Sequence, residues 1–312
     1  MNILLAMIPA FFWGTTYAVT KFTLPDWPPI LLGALRALPA GLLLLLVKPS
    51  LPKKGEWQVL FILGTVNIAT FFGLIFVMAQ TLPSTISGVG MVSVPVFAML
   101  YQWLVNKKRP SWVQTLSGLA LVLFAFFLFS PGTISLNPIG LGAMLAAIMC
   151  IVAGSGITKA LGSRIHWWTI LTWQLILGGA VLGLVSGVHA SFEPQVYQSV
   201  VANFSTQNLI GLLWVVGLNT ALSYGMYVWL LQRMSVVDFT FGGIANPIAG
   251  ILCGMVLLGE SFTQTQYALM MGMIVMSLVP QTIQAAKHHR LQKLSETWFL
   301  IKTIEIESGL RF

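Results

Sequence analysis

Charged side chains are scarce in this chain. Only 8% of its 312 residues are Asp, Glu, Lys or Arg, against about a quarter in a soluble domain. So little charge cannot cover a water-facing surface, which excludes an ordinary soluble fold and makes lipid the expected solvent. Acidic residues are the scarcer sign, with eight Asp and Glu against sixteen Lys and Arg and a formal net charge of +8. That excess does not point to nucleic acid, because the basic residues are interleaved with apolar runs of membrane length. Cysteine is nearly absent: Cys150 and Cys253 lie inside apolar segments, as small hydrophobes do, and imply neither a disulfide framework nor a metal site. The four histidines, His166, His189, His288 and His289, fall outside the apolar runs. With no HExxH and no carboxylate pair inside those runs, metal hydrolysis and acid–base catalysis lack their parts. No GK[ST] loop is present, so the chain has no P-loop ATPase of its own. No cofactor is implied.

What the chain has is hydrophobic length: 57% of residues are apolar and the mean hydropathy is +0.86. A spanning helix needs roughly 20 apolar residues. Ten such spans are read near 3–20, 29–47, 58–80, 84–105, 113–129, 138–158, 168–187, 208–231, 236–258 and 264–283. Between them stand Pro, Gly, Asn and charge, as in "KPSLPKKGE", "NKKRPS" and "SPGTISLNP". The first span lacks a basic flank and a small-residue cleavage site, so it reads as a retained helix. Every even-numbered exit is basic: Lys48, Lys53 and Lys54 after span 2, Lys107, Lys108 and Arg109 after span 4, Lys159 and Arg164 after span 6, Arg233 after span 8. The tail adds Lys287, Arg290, Lys293, Lys302 and Arg311, while the opposite side has only Lys21. By the positive-inside rule both termini are cytoplasmic, in a multi-pass protein of a bacterial inner (plasma) membrane. The tail, 284–312, mixes charge with Trp298, Phe299, Ile301, Ile304 and Ile306; an amphipathic surface helix and a disordered tail are both open.

The offset that carries Pro95 onto Pro247 also carries Asn67 onto Asn219, Ala69 onto Ala221, Phe72 onto Tyr224, Gly73 onto Gly225, Gln80 onto Gln232 and Gly90 onto Gly242. A shorter offset pairs Lys21 with Lys159, Arg36 with Gln174 and Gly41 with Gly179. The expected fold is therefore all-α and integral to the membrane, with ten transmembrane helices as two five-helix repeats, 1–130 and 137–283, around a central cavity. Five is odd, so the second repeat enters from the opposite face. That is the inverted repeat of many secondary transporters, whose substrate site lies between the halves.

At 1.5 Å per residue, Asn67 lies roughly 14 Å into span 3, and Asn219, Asn246 and Pro95 come to similar depth. Each asparagine has two open readings: an interhelical bond worth about 0.6–2 kcal/mol, or the wall of a shared cavity. Pro95 and Pro247 each remove a backbone donor within a span, freeing the carbonyls of Met91 and Gly243, and are candidate helix breaks or gates. Trp13, Tyr17, Phe71, Trp173, Tyr224 and Tyr227 are the candidate aromatic walls. Gly14/Ala18 and Gly250/Gly254 carry small-xxx-small spacing for close helix contact. Arg36 lies roughly 10 Å inside span 2; it is either an anchor for an anionic or zwitterionic substrate or a cation that pins helices. Asp26, Glu56, Asp238 and Glu260 all fall at span ends, so the mid-depth carboxylate of a cation or proton antiporter is missing. Glu260 reads as a solvated helix terminus.

"FFWGTTYAVTKF" in span 1, Arg36 in span 2, "VSVPVFAMLYQWL" in span 4 and "NPIAGILCGMVLLGE" in span 9, followed by a glycine-bearing span 10, resemble the EamA family of the drug/metabolite transporter superfamily. The likeness covers about residues 3–283. It implies ten helices in two inverted halves, alternating access, export of small metabolites such as amino acids, and a cavity lined by spans 1, 3, 4, 6, 8 and 9. "NKKRP" stands where many repeats of the family read Gly-Glu. The expected function is a secondary-active or facilitative transporter of small polar or amphipathic metabolites, working as a monomer with lipid around it and no nucleic-acid partner. The competing classes are a flippase for lipid-linked carriers, a channel and, least favoured, a membrane-embedded enzyme.

Overall fold

The computed structural model describes residues 3–105, 107, 109–129, 136–161, 164–231, 242–283 and 286. Gln232, Arg233, Asp238, Lys108, the Lys159 side chain and the tail, apart from residue 286, lie outside the described residues.

Helices occupy all ten expected positions. They are α1 (Ile3–Thr23), α2 (Pro29–Val47), α3 (Lys54–Thr81), α4 (Ser84–Leu104), α5 (Trp112–Leu128), α6 (Pro138–Leu161), α7 (Trp167–Phe192), α8 (Thr206–Tyr227, continuing to Leu231), α9 (Ala245–Leu258) and α10 (Gln264–Ile283). Among the described residues, seven helices are long and apolar enough to cross a membrane: α2, α3, α4, α6, α7, α8 and α10. The other three positions hold α1 and the shorter apolar α5 and α9. The loop expected between spans 7 and 8 contains a short helix, Pro194–Ala202.

Side chains start most of these helices by satisfying N–H groups that have no intrahelical acceptor. Ser111 Oγ accepts from Gln114 N at the head of α5, and Ser205 does the same for Asn208 N at α8. Thr263 and Gln266 form the equivalent pair at α10.

The α-helical run of α4 is interrupted just before Pro95. Pro95 sits in the first turn of the α-helical stretch Val94–Leu104, after the tight turn Met91–Ser93, and Pro247 in the first turn of α9. A missing N–H costs nothing there. The carbonyls expected to be freed are taken: Met91 O by Val94 N and Gly243 O by Asn246 N.

The interior is mainly apolar but holds a polar minority, and the outer surface is apolar too. Thr15, Thr16, Thr20, Arg36, Ser87, Gln174, Asn219 and Thr220 are buried, while Leu46, Trp112, Phe192 and Val256 are at least 80% exposed. Such a surface fits a lipid solvent. The family of contacts is paired. α2 packs on α7, and α4 on α9. The contact of α2 with α8 is matched by that of α7 with α3, and α1 with α8 by α6 with α3. Two π-helical stretches, Gly64–Thr70 in α3 and Trp214–Leu222 in α8, contain Asn67 and Asn219. A glycine lets the helices meet at each seam. A Cβ on Gly14 would collide with the Asn246 carbonyl, and one on Gly179 would lie 2.6 Å from Leu38 N.

Candidate functional site

Arg36 is 4% exposed on the inner face of α2. Its Nε donates to Thr220 Oγ1 at 2.9 Å, and its guanidinium lies over the Phe72 ring, 4.2 Å from the centroid. The π-helical turn of α8 sets up this contact: Thr220 Oγ1 donates to Val215 O five residues back, leaving its lone pairs toward Arg36. The phenols of Tyr17 and Tyr224 lie near the guanidinium, while the described carboxylates Asp26, Glu56, Glu193 and Glu260 all lie at helix ends or in loops. Aromatic rings extend the wall. Phe72 meets Tyr224 at 6.3 Å and Phe71 at 5.8 Å, while Trp13 stands edge-on to Tyr224 and Tyr227 at 5.4 and 5.6 Å. Six expected site residues are thus brought to one place: Trp13, Tyr17, Arg36, Phe71, Tyr224 and Tyr227. The Trp13 Nε1 donor is buried there with no partner among the described residues.

Asn67 and Asn219 are engaged between helices. Asn219 is fully buried, its Nδ2 donating to Thr16 Oγ1 at 2.7 Å, with Thr15 Oγ1 at 3.4 Å from its Oδ1. Trp214 Nε1 donates to the same Thr15 hydroxyl at 2.9 Å. Asn67 Nδ2 donates to Gln174 Oε1 at 3.0 Å, and its amide is packed so tightly on Gly154 that a Cβ there would collide with it. Both asparagines make an interhelical bond, but Asn67 Oδ1 is buried without a partner among the described residues.

Asn246 packs against α1 at Gly14, the residue after Trp13. With Pro95 and Pro247 it lines a cavity of about 240 Å³ between α4, α9 and α10, to which Met91, Ser277 and Gln281 also contribute. A second cavity, of about 110 Å³, shares Pro95, Ser277 and Gln281 and is lined by Gln114 and Ser117 of α5. None of the described residues around either void is charged. Asn246 Oδ1 and Gln281 Oε1 are buried without a partner among the described residues. Trp173 is elsewhere: its Nε1 donates to Ser50 O at 2.7 Å and its ring meets Trp57 at 4.7 Å, so it fastens the start of α7 to the loop after α2.

Glu260 is not merely a solvated terminus. Its carboxylate accepts from Ser84 N at 2.6 Å, Ser84 Oγ at 3.1 Å and Thr85 N at 2.9 Å, capping α4 from the end of α9.

The EamA-like transporter family matches residues 1–130. The protein PecM of Dickeya dadantii is 32% identical over 257 residues, covering 81% of this chain and 83% of that one. This chain belongs to the EamA-like transporter family. Two further EamA-type relatives extend along most of it: the uncharacterized inner membrane transporter YedA of Escherichia coli (strain K12), 27% identical over 87% of each chain, and the uncharacterized transporter YwfM of Bacillus subtilis, 25% identical over 91% of this chain and 96% of that one. A solved crystal structure shares the fold with a TM-score of 0.60 at 16% identity, covering 91% of this chain and 97% of that one. As an EamA-family member of the drug/metabolite transporter superfamily, the chain is an integral, multi-pass membrane transporter.

The EamA likeness pointed to spans 1, 3, 4, 6, 8 and 9 as cavity walls, and sequence reasoning missed the contributions of α5 and α10. Gln114, Ser117, Ser277 and Gln281 were legible only as polar residues in apolar runs, a signal too common to single them out. Phe72 and Thr220 carried a better signal. Phe72 is the repeat partner of Tyr224, and Thr220 adjoins Asn219.

Proposed function

We propose that this transporter moves small metabolites bearing a carboxylate or another anionic group, zwitterions such as amino acids included, with Arg36 as the anchor. The observation that carries the reading is a buried arginine ringed by aromatic side chains, with the described carboxylates all at helix ends or in loops. A buried charge usually finds an ionic partner, and on this reading the substrate's anionic group supplies it. Trp13, Tyr17, Phe71, Tyr224 and Tyr227 would wall the substrate's apolar part. Asn246, Pro95 and Pro247 would line an adjoining part of the path.

The proposed architecture is two inverted five-helix repeats, 1–130 and 137–283, rocking between faces as a monomer. The exchange-paired helix contacts and the matching π-helical stretches support it. Lys48, Lys53, Lys54, Lys107, Arg109 and Arg164 all follow even-numbered helices, which supports cytoplasmic termini in an inner membrane. Outward movement is proposed on the family likeness. Relatives described as transporters, YedA in the inner membrane among them, support the class of activity.

One observation favours a second reading. The Arg36–Thr220 bond joins α2 to α8, so Arg36 could serve only to pin those helices. Thermal-shift screening of the purified protein separates the two. The anchor reading expects stabilisation by small carboxylates and by amino acids, and none by their amides or by organic cations. Stabilisation by amides equal to that by the acids would remove the anchor.

A further inference from the structure

We infer that Glu260 is a gate residue: it latches α9 to α4 and closes one end of the transport path. The inference rests on the alternating-access reading above. Gly259, at φ +64°, takes the left-handed conformation that turns the chain at the end of α9 and brings the next side chain back over α4. The Glu260 carboxylate then meets two backbone N–H groups that have no acceptor inside their own helix, at the positive end of the α4 dipole. The Ser84 hydroxyl adds a third donor. A charged acceptor makes these stronger than ordinary hydrogen bonds.

The seam beneath is built to close tightly. A Cβ on Gly254 would stand 2.6 Å from Glu260 Oε2 and from Thr85 Oγ1, and 2.7 Å from Ser84 Oγ. One turn deeper, a Cβ on Gly250 would stand 3.3 Å from the Gly88 Cα. Neighbouring helices are fastened at the same end. Lys21 Nζ of α1 donates to Leu82 O at 3.3 Å, and Gln80 Nε2 of α3 donates to Trp27 O at 2.6 Å. The 240 Å³ cavity begins below this seam, at Gly88 and Met91, and runs past Pro95 and Pro247. The same two helices are therefore shut at the Glu260 end and parted further along. Separation of α4 and α9 at Glu260 would open the void to that face.

Ser87 reports the motion: it is fully buried about one helical turn below Ser84, and cysteine replaces serine with little change in size. The chain carrying Ser87→Cys, with Cys150→Ala and Cys253→Ala, is placed in oriented proteoliposomes and labelled with a membrane-impermeant maleimide from each face. Glu260→Ala is expected to raise labelling from the Glu260 face by about tenfold or more, the equivalent of one charged hydrogen bond, and to lower it from the opposite face. Ser84→Pro leaves the carboxylate in place and removes both Ser84 donors, at a first-turn position that tolerates proline. It is expected to act in the same direction, so the test survives if Glu260→Ala does not fold. Labelling unchanged in both variants, or raised equally from both faces, overturns the latch and leaves Glu260 a plain structural brace. A chain with Glu260 and Ser84 intact that labels at comparable rates from both faces behaves as an open pore; that result removes alternating access itself, and the latch with it.

Discussion

Replacing Arg36 with methionine separates anchor from pin, because the structure allows the stability cost to be worked out. A charged arginine at this depth costs about 2.5–3.5 kcal/mol on insertion scales. Against it stand the charged hydrogen bond to Thr220, worth about 1.5–3 kcal/mol, and the guanidinium over Phe72, worth about 2 kcal/mol when desolvated. At mid-range the contacts exceed the burial cost by only about 1 kcal/mol. Methionine keeps much of the apolar volume and needs no hydration, and Thr220 keeps its own bond to Val215 O. Thermal unfolding in detergent should therefore move by no more than about 1.5 kcal/mol. Transport should change far more. A substrate carboxylate that loses a charged hydrogen bond of about 1.5–3 kcal/mol loses roughly 10- to 150-fold in apparent affinity.

The assay is counterflow of a labelled carboxylate in proteoliposomes, with the apparent KM read for the native chain, Arg36→Met and Arg36→Lys. Lysine keeps the charge but lacks the planar fork that can serve Thr220 and a substrate together, so it should fall between the two. A folded Arg36→Met chain whose KM stays within about twofold refutes the reasoning. Failure of both variants to fold would instead make Arg36 the pin between α2 and α8.

Asn219→Leu should lower stability by about 1–3 kcal/mol, since it strands the buried Thr16 hydroxyl, while leaving the preference among folded chains for carboxylate over amide substrates unchanged; thermal unfolding and counterflow check the two halves. Gly14→Ala should destabilise by about 1–3 kcal/mol, because its Cβ would collide with the Asn246 carbonyl and Ala249 across the α1–α9 seam; an unfolding transition equal to that of the native chain would contradict the packing. Trp173→Phe should lose the bond to Ser50 O, about 1 kcal/mol, and leave the KM of every transported substrate unchanged.

Much of the fold was legible because lipid imposes strict spacing. Runs of about 20 apolar residues separated by charge and proline marked the seven membrane-length helices among the described residues, and Pro29–Val47 was read with its observed ends. The repeat also carried spatial information: Phe72 and Tyr224, paired by offset alone, touch across the site. Partner choice was less accessible. An asparagine in an apolar run announces that it needs a donor or acceptor, but not whether the answer is Gln174, two threonines or a substrate. Glu260 was misread for a related reason. A carboxylate after Gly259 looks solvated until the turn at that glycine points it at the head of α4. Periodicity does not show where one helical stretch ends and the next begins inside a continuous apolar run, so the tight turn Met91–Ser93 was marked only by Pro95.

The π-helical stretches in α3 and α8 have a mechanical consequence. A π turn holds one residue more than an α turn, and it can migrate along a helix like a dislocation in a crystal. Each one-residue step would swing the side chains it passes by roughly 100° about the axis, turning Asn67 or Asn219 away from one neighbour and toward another while the rod stays unbroken. Two screws of this kind, one in α3 and one in α8, would let the bundle twist without any helix having to melt.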